Sequence, residues 1–166
     1  LTKATGAPAF EEALQSAERA AVSRDPAAEI ELYSELARQY PREPLPYFRR
    51  ALARRSLGQC EEAIRDVDEA VRLQPNEPAF YFFRGMWKLD SGAHDMAIED
   101  LAKAEHWDAA LSSKYYQTGA RFLRVVALVL ANRLEEANRI IPTLPDEYRC
   151  FAAGRLWTTK QLRAQT

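Results

Sequence analysis

Two histidines and two cysteines are the side chains of this sequence best suited to nucleophilic, acid–base or metal chemistry. A metal centre needs three or four such ligands, or carboxylates in their place, at short and recognisable spacings. His94 and His106 have no Cys, Asp or Glu pattern of that kind around them. Cys60 and Cys150 lie far apart and match no metal or redox spacing, so both are expected to stay reduced. Cys60 and His94 also sit alike, each two residues after a glycine. No glycine-rich phosphate loop, nucleophile elbow or zinc-protease pair occurs. The reading is no active site, no cofactor and no metal, and a chain that is not an enzyme.

Charge offers a second kind of chemistry. Arg50 and Arg84 are each followed 16 residues later by an aspartate, Asp66 and Asp100, which predicts that each arginine bonds an aspartate of its own or the adjoining repeat, partly buried between helices. Arg42, Arg49, Arg50, Arg54 and Arg55 form the densest basic cluster. It reads either as a receiver for an acidic segment or as a solvated face with internal pairs. Glu11, Glu12, Glu18, Glu29, Glu31 and Glu35 are its acidic counterpart, within the chain or across a homodimer. A formal net charge of −1 gives no global attraction for nucleic acid. The longest apolar run, residues 122–131, contains Arg124 and falls short of the ~20 residues a membrane span needs. The expected partner is another protein or peptide segment, with neither nucleic acid nor membrane. The cytoplasm is the expected location, a signal removed ahead of Leu1 being the alternative.

The elements that must position these residues are written as a repeat. Residues 44–77 laid over those 34 places later bring Pro44 onto Pro78, Tyr47 onto Tyr81 and Arg50 onto Arg84. Gly58 falls on Gly92, Ala63 on Ala97, Asp66 on Asp100 and Ala70 on Ala104. Self-similarity at a fixed period marks stacked units, each too small to bury its own apolar face. The glycines end the first helix of each pair, the alanines stand where paired helices cross closely, and the prolines begin the next unit.

The small-residue spacing, the inter-helix glycine and the terminal proline resemble the tetratricopeptide repeat. Tyr47, Arg50 and Ala51, then Tyr81, Arg84 and Gly85, carry one variant of its first-helix motif. Arg54 and Lys88 depart from it, standing where the family often has an aromatic residue. The resemblance implies an all-α, right-handed superhelical solenoid of stacked antiparallel helix hairpins. It also implies a concave groove, lined by the first helix of each pair, that receives a partner segment. Carried over by position, the partner-binding residues are Phe48, Arg49, Leu52, Arg55, Phe82, Phe83, Met86, Leu89, Tyr116 and Leu123, each set spaced along one helix face. Chaperone-binding members clamp a terminal carboxylate with Lys, Asn and Arg on three consecutive first helices. The matching positions here are Leu14, Glu18, Arg49, Ala79 and Phe83, so a chaperone-tail clamp is not expected.

Taken in order, residues 1–9 read as a flexible lead-in and 10–43 as a diverged first repeat, its second helix opened by Asp25-Pro26. Residues 44–77 and 78–111 are the two clear repeats. Residues 112–145 form a degenerate fourth in which six added residues lengthen the first helix to about 112–131, with the apolar run 125–130 buried all round. Residues 146–166 are expected to hold a capping helix from Glu147 to about Leu162. The functional expectation is a non-enzymatic adaptor or assembly factor. The alternative is a dedicated inhibitor of one partner, such as an immunity protein of a toxin–immunity pair.

Overall fold

Helix starts and stops follow the capping residues closely. A computed structural model describes residues 7–21, 25–113 and 115–165 and places nine α-helices among them. They are α1 (Ala7–Ala21), α2 (Pro26–Gln39), α3 (Pro44–Ser56), α4 (Cys60–Leu73), α5 (Pro78–Asp90), α6 (His94–Ala110), α7 (Gln117–Leu130), α8 (Leu134–Ile140) and α9 (Thr159–Gln165). Asp25 accepts the Ala28 amide at 2.9 Å, and Pro26, Pro44 and Pro78 each begin a helix, where the missing N–H removes no bond. Helix α1 reaches back to Ala7, into the expected lead-in; the rest of that lead-in, residues 1–6, lies outside the described residues.

Gly58 and Gly92 take φ of 76° and 82° at the hairpin turns, a conformation open to glycine at little cost. Asn132 takes the same place between α7 and α8, with φ 58°. The hydrogen bonds agree: Gly92 N–H reaches Leu89 O and Ala93 N–H reaches Lys88 O, while Asn132 N–H reaches Val129 O and Arg133 N–H reaches Leu128 O. The fourth hairpin therefore runs 40 residues behind the third. Its added residues are not in the first helix, as the sequence suggested. They lie before it, in a longer α6 and in the connection 111–116. Asp108 decides this: buried at the end of α6, it accepts from Ser113 Oγ and, at 3.0 Å, from the Gln117 amide at the start of α7. A helix start thus forms at residue 117 rather than 112.

Two compact units divide the chain, one ending at Pro75 and the other beginning at Asn76. In the first, α1 to α4 pack in succession. Phe10, Leu14, Ala17, Tyr33 and Leu36 form one core cluster, and Ala63, Val67 and Ala70 of α4 are fully buried. In the second, α5 to α8 do the same around Leu101, Ala104, Phe122 and Val125. Of the apolar run 125–130, the first four residues are buried and Val129 and Leu130 half-buried.

The C-terminal segment departs most from expectation. Where the sequence suggested one helix over 147–162, a 3-10 turn (Ile141–Thr143) leads to an antiparallel hairpin, β1 (Arg149–Ala152) and β2 (Arg155–Thr158), and only then to α9. Ala152 pairs with Arg155, leaving Ala153 and Gly154 as a two-residue loop with φ of 48° and 76°. Two successive positive φ values give the turn whose twist matches that of paired strands. Buried Trp157 donates its indole N–H to Ala152 O at 3.1 Å, and Thr159 Oγ1 donates to Pro145 O at 2.8 Å. Trp157 and Ala152 face inward, so the segment serves as a cover for the second unit in hairpin form.

Candidate functional site

The paired charges come first, because the structure places them inside. Arg50 grips Asp66 through Nε and Nη2 at 2.8 and 2.6 Å, and Arg84 grips Asp100 at the same two distances. Each aspartate takes a second cation, Arg54 on Asp66 at 2.8 Å and Lys88 on Asp100 at 2.9 Å. Arg54 and Lys88 are the residues that departed from the repeat motif. They stand one helical turn after Arg50 and Arg84 and close a two-cation clamp on one buried carboxylate. Arg49 pairs with Glu18 of α1. Much of the basic cluster is thereby spent within its own unit. Glu105 plays a related part in the second unit, held by Arg121 and Arg124 of α7.

The candidate catalytic atoms are scattered. His94 is half-buried at the start of α6, and exposed His106 packs edge-on against Trp107. The two cysteines are free thiols in different units, and no group of three or more potential metal-ligating side chains occurs among the described residues. No described helix is long and apolar enough to cross a membrane.

The face shared by α5 and α7 gathers aromatic rings. Phe82 lies 5.5 Å from Phe83 and 5.0 Å from Tyr116 between ring centroids, Phe83 lies 6.0 Å from Trp87, and Tyr116 stacks edge-on to exposed Tyr115 at 4.8 Å. Gly119 makes room for the cluster: a Cβ there would come within 3.2 Å of Phe82 and 3.3 Å of the Tyr148 hydroxyl. The C-terminal segment joins the same face. Tyr148 packs on Phe122 at 4.9 Å, β1 lies against both α5 and α7, and the Ala153 amide donates to Asp90 Oδ1 at 3.0 Å. The turn that follows β1 is thereby tied to the end of α5 at Asp90. Burial raises the Cys150 thiol above its ordinary pKa, with nearby Asp90 adding to the shift, and burial likewise raises Tyr148.

No family model matches the sequence, and no curated protein does. Solved structures do. The TPR2B domain of yeast Sti1, in a complex with pHsp70, is 24% identical over 71% of this chain and 94% of its own, with a TM-score of 0.65. MamA from Desulfovibrio magneticus RS-1 is 20% identical over 80% of this chain and 72% of its own, with a TM-score of 0.67. The Yersinia enterocolitica type III secretion translocator chaperone SycD is 16% identical over 78% and 88%, with a TM-score of 0.65. The chain has the tetratricopeptide-repeat fold. Its first-helix residues can therefore be placed by position in the repeat as well as by exposure.

Of the ten residues assigned to a partner, the structure sets three inside. Phe48 is buried, and Leu89 and Leu123 are 0% and 1% exposed, so no partner reaches the last two without rearrangement. Phe82, Phe83, Met86 and Tyr116 are half-buried in the second unit, and Arg49, Leu52 and Arg55 are half-buried in the first. Tyr148 and the hairpin were missed as neighbours of this face. The available signal was Gly154, which an expected helix interior should have resisted by about 1 kcal/mol.

Proposed function

We propose that the chain is a non-enzymatic protein-interaction module that takes a partner segment on the α5/α7 face of its second unit. Phe82, Phe83, Met86 and Tyr116 supply the apolar contact, and Tyr148 of the C-terminal segment forms one wall. The observation that carries this reading is the ring cluster itself: several large aromatic side chains held together by Gly119 and left half-exposed. Contiguous apolar surface of this kind has a hydrophobic cost until something covers it. The structurally similar TPR2B domain of yeast Sti1 supports the reading, since it occurs in a complex with pHsp70. The carboxylate clamp has no counterpart in the residues that stand at its positions here, so the supported ligand is an apolar or aromatic segment rather than a chain terminus.

A photocrosslinking residue in place of Met86 should capture a partner from the source cell, and Phe82→Ala should remove that product while helical circular dichroism stays unchanged. Capture that survives Phe82→Ala at full strength would place the interaction elsewhere. Titration of the captured partner then separates two roles. An exchangeable client binds at around micromolar Kd, whereas a dedicated inhibitor reaches nanomolar or tighter.

A further inference from the structure

The C-terminal hairpin is bonded to itself more than to the helices it lies on. Its strands pair over four positions, the Trp157 indole donates to Ala152 O at 3.1 Å, and the Arg155 guanidinium stacks on the Trp157 ring at 3.5 Å. The base is closed in the same way. Thr159 donates to Tyr148 O through its amide at 3.1 Å and to Pro145 O through its hydroxyl at 2.8 Å. Leu162 is fully buried and Tyr148 packs on Phe122, so the base is seated on the helical body.

The far end is held differently. Among the described residues, a single hydrogen bond joins residues 149–158 to helices α1–α8: the Ala153 amide donates to Asp90 Oδ1 at 3.0 Å, in an exposed position. A Cβ on neighbouring Gly154 would meet nothing within 4 Å. Strand β1, which lies against α5 and α7, has only the small side chains of Cys150 and Ala152 on its inner side. Trp157 on β2 is covered in part by Arg155 of its own strand. A motif bonded internally, seated at one end and tied at the other by one exposed bond is suited to open as a unit without unfolding the rest.

We propose that residues 149–158 form a strap that swings off α5 and α7 about its Tyr148–Thr159 base, and that this opening regulates how much of the α5/α7 face a partner segment reaches. Closed, the strap confines a partner to the half-exposed rings around Phe82 and Tyr116. Open, it adds the stretch of α5 and α7 that β1 lies against. A partner that needs the open form shifts the population toward it, and its apparent affinity is reduced in proportion to the open fraction. The regulatory half rests on the α5/α7 face being the partner site; the opening itself does not.

Cys150 is the reporter, because its half-buried thiol lies on the inner side of the strap and reacts with a bulky aromatic disulfide, dithiobis(nitrobenzoate), when the strap is open. In the whole chain carrying Cys60→Ser it is the only thiol. Asp90→Ala removes the tie, whereas Asp90→Asn keeps an oxygen that accepts the Ala153 amide. Both remove the charge that helps to raise the Cys150 pKa, so the difference between them isolates the tie. Labelling should be about tenfold faster in Asp90→Ala than in Asp90→Asn, the weight of one hydrogen bond. Asp100→Ala, which weakens the helical body, should lower the urea midpoint and leave labelling unchanged. Equal rates in the two Asp90 variants, or labelling that speeds up in Asp100→Ala, overturn the strap. Capture through the Met86 photocrosslinker tests the regulation: it should increase in Asp90→Ala over Asp90→Asn and still be lost on adding Phe82→Ala. Equal capture in the two Asp90 variants overturns the regulation and leaves the partner site standing, whereas capture indifferent to Phe82→Ala strikes the partner site and leaves the strap.

Discussion

Breaking the Asp100 clamp should separate a buried network from an ordinary surface ion pair. Asp100 is 3% exposed in its side chain, and its partners Arg84 and Lys88 are 12% and 11% exposed. Asp100→Ala strands two buried cations, and removing one member of a buried pair costs about 3–5 kcal/mol. Arg84→Ala leaves Asp100 held by Lys88 and loses two charge-assisted bonds, which puts its cost lower, at about 2–3 kcal/mol. The double variant should fall short of the sum by about 0.5–3 kcal/mol, the range of residues in one salt-bridge network. In a chain of this length, where 1 kcal/mol moves Tm by about 2–4 °C, Asp100→Ala should melt roughly 6–20 °C lower. Urea unfolding followed by tryptophan fluorescence is the suitable assay. Trp87, Trp107 and Trp157 are the only tryptophans and all lie beyond Asn76, so the signal reports the second unit, whereas circular dichroism reports both. Coupling below about 0.5 kcal/mol, the level of independent sites, would refute the clamp as a structural element.

Three further outcomes follow from local geometry. Gly85→Ala should destabilise by about 1–3 kcal/mol, because its Cβ would sit 2.8 Å from Leu101 Cγ and 3.2 Å from Asp100 Cβ; a higher urea midpoint would refute the close approach of α5 and α6. Ala153→Gly should stabilise by about 0.5–1 kcal/mol, since an alanine at φ 48° bears a left-handed strain of about 1–2 kcal/mol that the freer unfolded glycine only partly offsets; an unchanged or lower midpoint would count against the hairpin turn. The raised Cys150 and Tyr148 pKa values make the folded state hold protons more tightly than the unfolded one. Their contribution is complete below the unfolded values, 9.0 and 10.0, and is lost as pH rises through the folded ones. Tryptophan-detected stability should therefore decline above about pH 9, less steeply in Cys150→Ala, and a slope identical in that variant would remove burial of the thiol as a cause.

The parts of this fold legible in the sequence were those decided within one repeat. The 34-residue register announced arginine–aspartate pairs but left each Arg a choice between the Asp of its own repeat and that of the adjoining one; the structure pairs each within its own repeat. The fourth repeat was misaligned where two registers competed. Tyr115 and Gly119 match Tyr81 and Gly85 at 34 residues, while Ala137 matches Ala97 at 40. Apolar residues 122–131 contain no breaker and drew the added residues into a helix. The deciding group was Asp108, whose carboxylate reaches across the connection to the Gln117 amide, and a capping bond nine residues long leaves no periodic trace. The hairpin was lost for a related reason. Tyr148, Phe151, Leu156 and Trp157 are compatible with a helical face, and only the positive φ at Ala153 and Gly154 turns them into strands with opposite sides.

The partner residues show the limit of periodicity most plainly. Positions i, i+3, i+4 and i+7 on α5 and α7 define a face, and a face reads the same whether a partner or the chain itself covers it. Leu89 and Leu123 were assigned to a groove, yet they lie in the core of a unit in which β1 packs on α5 and both β1 and α9 pack on α7. The cover comes from residues 148–162, more than 50 positions beyond α5, where the repeat register no longer applies. The proposed partner surface is confined to the half-exposed ring cluster around Phe82 and Tyr116, bordered by Tyr148. This gives Tyr148→Ala a specific expectation: by opening the wall beside Gly119 it should enlarge that surface and weaken the hold of β1 together, so crosslinking from the Met86 position should change while the first unit's helical signal does not.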